Sequence, residues 1–193
     1  ELWRTNTVPK IGEPNGESWG DVPNEQRRGG SAWMPASFDP ELNLIFIGVA
    51  VPIPWGEIQR GTRGGDVLYT NSTLALDAET GEIEWYFQYI PAGNWDQDHP
   101  FERLIVETEV TPDADAVSWM NPNIASSERR KVITGIPGKP GIVWTLDAAT
   151  GDFLWATETN YQNIIVGVDV EGRKGITNPE IDITEIGQQK LVC

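Results

Sequence analysis

Apolar residues along this chain fall into short runs, at most four positions long, broken by clusters of Gly, Pro, Asp and Asn. Such runs predict β-strands bounded by turns. The pattern places strands over Leu42–Gly48, just after an Asp39-Pro40 turn, and over Leu74–Leu76, Leu104–Val110, Lys131–Gly135 and Ile142–Leu146. A helical period of 3.6 is nearly absent, and Asn121–Arg130 is the one stretch that predicts a short turn of helix. Between the strands lie four long connections, Lys10–Gly30, Val51–Asp66, Tyr89–Glu102 and Asp113–Arg129, the places where function concentrates when rigid sheets carry variable loops.

The chain also repeats itself. Leu74–Trp85 lies over Trp144–Trp155 with identity at Leu76/Leu146, Asp77/Asp147, Ala78/Ala148, Thr80/Thr150, Gly81/Gly151 and Trp85/Trp155. Glu1-Leu2-Trp3 matches the tail of a further copy. Each copy reads as strand, Asp-Ala-x-Thr-Gly turn, strand. Glycine supplies the positive φ of the turn, and the Asp and Thr side chains bond its amides. A unit this small buries a tryptophan only against its neighbour, so the indole is expected to plug adjacent sheets together. Residues 1–193 then form about two and a half antiparallel blades of one β-propeller domain, an all-β architecture, with the remainder of the propeller supplied by more chain. The absence of an initiator Met and of a signal peptide agrees with a fragment or processed piece.

Composition narrows the function. Twenty-nine acidic against 14 basic residues give a net charge of −15, the wrong balance for a nucleic-acid partner. The longest apolar runs, such as Leu44–Ile47, fall far short of the roughly 18 residues of a membrane-spanning helix. A single cysteine, Cys193, excludes an internal disulfide and leaves two readings, an inert thiol or a bond to a residue outside the sequence.

With the repeat, several further motifs occur in one order: Gly29-Gly-Ser-Ala-Trp33, Phe38-Asp-Pro-Glu-Leu-Asn-Leu-Ile-Phe-Ile-Gly48, Pro54-Trp55 and Pro91–Asp96. Together they resemble the quinoprotein alcohol dehydrogenases, which carry pyrroloquinoline quinone (PQQ) on an eight-bladed propeller with tryptophan docking motifs. The resemblance spans all 193 residues in order, about a third of a full-length enzyme. It implies periplasmic oxidation of a small primary alcohol to an aldehyde, with PQQ and a calcium or lanthanide ion as cofactors. It further implies Trp33 as the cofactor-stacking ring, Ser31 at a cofactor carboxylate, Asp96 as catalytic base and metal ligand, and Lys139 at the reactive quinone oxygen. Asp98 corresponds to the second acid of lanthanide-dependent enzymes, and a spacing of two puts both carboxylates on one side of an extended segment. His99 is expected at the surface.

One departure is plain. Where the family has a metal-ligating Asn, this sequence has Val51, without a side-chain oxygen. The family's metal-binding Glu and vicinal cysteines would lie upstream of residue 1. Two other functions therefore stay open: a non-catalytic PQQ-like propeller acting as a binding or assembly scaffold, and a glycan-binding propeller using exposed Trp19 or Trp55. The acidic surface suits docking to a basic electron acceptor such as a cytochrome c.

Overall fold

The structure, a computed structural model, describes residues 2–124 and 127–193. Strands β1 (Arg28–Gly29), β2 (Ser37–Asp39), β3 (Leu44–Gly48), β4 (Pro52–Ile53), β5 (Ser72–Asp77) and β6 (Ile83–Gln88) occupy the first half. After them come β7 (Leu104–Val110), β8 (Trp119–Met120), β9 (Glu128–Gly135), β10 (Ile142–Asp147), β11 (Phe153–Glu158), β12 (Ile165–Asp169) and β13 (Lys174–Thr177). The sheet β2-β3-β5-β6 is antiparallel throughout and is extended past β6 by β13 and β12. The sheet β7-β9-β10-β11 repeats that meander and is extended by β8. These are two propeller blades, side by side.

Alternation shows in β3, where Leu44, Phe46 and Gly48 are buried and Ile45 and Ile47 only partly so. The central strand β5 is buried over Ser72–Leu76 because both of its faces are covered. Between the blades, Phe46, Trp85, Phe87, Tyr89, Trp144 and Phe153 form one aromatic core with ring centroids 5.2–6.1 Å apart. Tilted and edge-on contacts dominate it, as ring quadrupoles prefer.

The repeated turns do what the sequence predicts. Asp77 Oδ1 accepts the amides of Glu79 and Thr80 at 2.9 and 2.8 Å, and Asp147 Oδ1 accepts those of Ala149 and Thr150 at 2.9 and 3.1 Å. Each turn is closed by the glycine amide on the Asp carbonyl, Gly81 to Asp77 at 2.8 Å and Gly151 to Asp147 at 2.9 Å. The indoles then dock on the neighbouring turn. Trp3 Nε1 donates to the Ala78 carbonyl at 3.1 Å, and Trp85 Nε1 to Ala148 at 3.2 Å. A Cβ on Gly81 or Gly151 would collide with the docked ring, and both glycines have φ of +75°.

Two elements differ from expectation. The helix predicted over Asn121–Arg130 does not form in its described residues: Asn121 Oδ1 caps a turn by accepting the Asn123 amide, and β9 begins at Glu128, three positions before Lys131. Residues 125 and 126 of that stretch lie outside the described residues. Strand β9 instead pairs along its whole length with β7, from Glu128–Val110 to Thr134–Leu104, and sheet pairing overrides the local helical tendency. An α-helical turn does form, at Glu57–Arg60 inside the second long connection.

Candidate functional site

Three loops meet beside the blade ends. The first is the Gly-Gly segment. Gly29, φ +95°, lies so close to β4 that a Cβ would meet Ile53 N at 2.7 Å and Pro52 Cα at 2.8 Å, so only glycine permits the pairing. The pairing continues as Gly30 donates to the Val51 carbonyl and Ala50 to that of Ser31, both at 3.0 Å. Ser31 is thereby fixed next to Val51. Trp33, two residues further, keeps 55% of its surface exposed.

The second loop, Trp95–Pro100, carries the acids. It turns sharply, with the Gln97 amide on the Trp95 carbonyl at 2.8 Å. The third, around Lys139, zips onto it: Phe101 donates to the Pro137 carbonyl at 3.1 Å and Lys139 to that of Asp98 at 3.3 Å. Gly138 permits this approach, since a Cβ there would sit 2.6–2.7 Å from the His99 ring.

As a result the Lys139 ammonium bridges both carboxylates, 2.9 Å from Asp96 Oδ2 and 2.9 Å from Asp98 Oδ2. Partial burial works against its charge, but the bonds and charges of Asp98 and Asp96 outweigh that and raise its pKa. Asp98 is nearly enclosed, and its Oδ1 also accepts the Val51 amide at 3.4 Å. The spacing of two thus delivers both acids to one point. Asp96, Asp98, Lys139 and the paired backbone of Ser31, Ala50 and Val51 form one bonded cluster. Among the described residues no hydrogen bond or ion pair ties Trp33 to it.

His99 is not at the surface. It is 2% exposed, stacked on Tyr89 at 5.0 Å and 11°, with Nδ1 unpartnered. Burial first, and the neighbouring Arg103 charge second, lower its pKa to about 3 and keep it neutral. Its aromatic face satisfies the core better than water satisfies its nitrogen. Arg103 lies beneath it, donating to Thr73 Oγ1 at 2.7 Å and to the carbonyls of His99 at 2.9 Å and Phe101. Arg60, equally buried, donates to the carbonyls of Pro54, Trp55, Gly93 and Ala92 and so ties the Trp55 loop to the segment just ahead of the acidic loop. Neither arginine stands out in the sequence, because an Arg that caps loop carbonyls has no motif. Trp19, expected exposed, is fully buried and donates to the Leu68 carbonyl, while Trp55 is half exposed. A sugar platform using Trp19 is excluded.

With 55% of its surface exposed, Trp33 is accessible to a planar quinone, so these residues fit PQQ. They do not fit a metal ion. Among the described residues no group of three or more His, Cys, Asp or Glu is placed to hold one, Val51 brings no side-chain oxygen, and the two carboxylates already share an ammonium.

Meandering blades locked by tryptophans on Asp-x-x-Thr-Gly turns, with a carboxylate–lysine cluster at the loop end, define a quinoprotein-type propeller. Residues 1–161 match the family described as "PQQ: Glucose/ethanol/alcohol dehydrogenase, beta-propeller domain", and the chain belongs to that family. It is 31% identical over 192 residues to the quinohemoprotein alcohol dehydrogenase ADH-IIG of Pseudomonas putida, covering 93% of this chain and 24% of that protein. The solved structure of ADHIIG superposes with a TM-score of 0.81 at 30% identity, over 100% of this chain and 27% of that one. That of the Comamonas testosteroni quinohemoprotein alcohol dehydrogenase gives 0.65 at 30%, over 78% and 20%. A europium-containing methanol dehydrogenase shares the fold, with a TM-score of 0.70 at 21% identity over 94% of this chain and 31% of that one. The chain spans about a quarter of the length of these relatives.

Proposed function

We propose that the protein containing this chain oxidises a small primary alcohol to its aldehyde with PQQ. The observation that carries the reading is the convergence of Asp96, Asp98 and Lys139 on one point beside the paired segments of Ser31 and Val51, within a chain of the quinoprotein family. PQQ, when bound, supplies the two-electron acceptor for hydride. The chain's residues supply the rest. Trp33 stacks on the flat cofactor, and Ser31 bonds one of its carboxylates. Asp96, half exposed, takes the hydroxyl proton at Oδ1, the oxygen that Lys139 leaves free. Lys139 holds that carboxylate in place and sets a positive charge at the edge where negative charge develops. The buried His99 and Arg103 hold the acidic loop from beneath.

A periplasmic location belongs to the same reading, as does a basic cytochrome c as electron acceptor, which the net charge of −15 and relatives named quinohemoproteins support.

The test equilibrates the full-length protein with PQQ, removes free quinone by gel filtration and follows dye-linked alcohol oxidation. Wild type retains quinone and oxidises alcohol. Asp96→Asn retains quinone and loses a factor on the order of 10²–10⁴ in turnover. Val51 favours one other reading, a scaffold without catalysis, and a wild type that retains no quinone selects it.

A further inference from the structure

The cluster is closed to metal in a specific way. Asp98 is 12% exposed at its side chain, and both of its oxygens already accept protein donors: Oδ1 the Val51 amide, Oδ2 the Lys139 ammonium. Asp96 Oδ2 accepts the same ammonium. The backbone position next to Asp98 thus presents an N–H, and its valine side chain carries no oxygen, where a hard cation needs oxygen lone pairs, six to eight of them in the case of calcium. We propose that in this chain the Lys139 ammonium takes the place of a metal ion as the counter-charge of Asp96 and Asp98, and that a hard cation gains the pair only by expelling it.

Geometry makes the expulsion costly. The root of Lys139 is held at the cluster by its own amide on the Asp98 carbonyl and by Gly138 against the His99 ring, so a displaced ammonium stays near. A tethered competitor of this kind acts at high effective concentration. It also repels the arriving ion across a few ångströms of partly buried space. Its two bonds are charge-assisted, the strong kind. This holds whether or not the site oxidises alcohols, and the test is made without quinone so that the two ideas fail separately.

The full-length protein is titrated with terbium(III), read by indole-sensitised luminescence, as wild type, Lys139→Met and Lys139→Met with Asp98→Asn. The Lys139→Met protein is expected to bind terbium at least tenfold more tightly than wild type, about 1.4 kcal/mol, and the added Asp98→Asn to abolish the gain. Equal or weaker binding by Lys139→Met overturns the proposal, as does a gain that survives Asp98→Asn. Lys139 is 41% exposed at its side chain, so the substitution opens no cavity. Lys139→Gln gives the same comparison should Lys139→Met unfold the loop.

Discussion

At the scale of single residues, position and environment separate. The family resemblance puts Trp33, Asp96 and Lys139 around one cofactor. The spacing of two with the family pattern made the meeting of Asp96, Asp98 and Lys139 legible, whereas among the described residues no hydrogen bond or ion pair brings Trp33 to them. That His99 is buried was not legible, since Asp-Gln-Asp-His-Pro reads as a polar loop and only Tyr89 and Gly138, distant in sequence, enclose the ring. Trp19 hid in the same manner within Gly-Glu-Ser-Trp, fully buried with its indole N–H on the Leu68 carbonyl, 49 residues away. His99 makes a pH prediction. Its folded pKa of about 3 lies below the ordinary value of 6.5, so between those pH values the unfolded chain holds the extra proton. Stability therefore falls as pH drops from 6.5 toward 3, by up to about 1.4 kcal/mol per pH unit from this group. His99→Phe keeps the stacking on Tyr89 and should flatten that slope in denaturant titrations. An unchanged slope would mean the imidazole is solvated.

At the scale of elements, the docking turn was almost wholly readable. Six identities at one spacing told of the turn, the glycine and the plug, and the partner of each indole is the neighbouring copy's turn. The Asn121–Arg130 helix failed because a polar stretch carries no mark of the strand it will pair with, and β7 decides β9. The glycine of the turn has two duties, which substitution can divide. Gly61→Ala meets only the left-handed backbone cost, about 1–2 kcal/mol, since φ there is +74° and nothing lies within 4 Å. Gly151→Ala has nearly the same φ and also drives a methyl into the Trp85 ring. Equilibrium unfolding should show Gly151→Ala losing clearly more than Gly61→Ala. Equal losses would deny that the indole is seated on the turn.

At the scale of the molecule, the blades hold three loops that are joined by backbone hydrogen bonds, by arginines on loop carbonyls and by the Lys139 ion pairs with Asp96 and Asp98. The excess of acid acts further out. If a basic cytochrome c is the acceptor, its reduction rate falls as salt rises through the range where the Debye length shrinks from about 30 to 10 Å; a salt-independent rate removes that partner. The measurement that bears most directly on the whole account is an experimental density map of the full-length protein equilibrated with PQQ. The account predicts a flat cofactor on a face of the Trp33 indole, with the Asp96 carboxylate and the Lys139 ammonium at one edge of it. A map with that face covered by aliphatic side chains, or with the quinone bound away from Asp96 and Lys139, contradicts it.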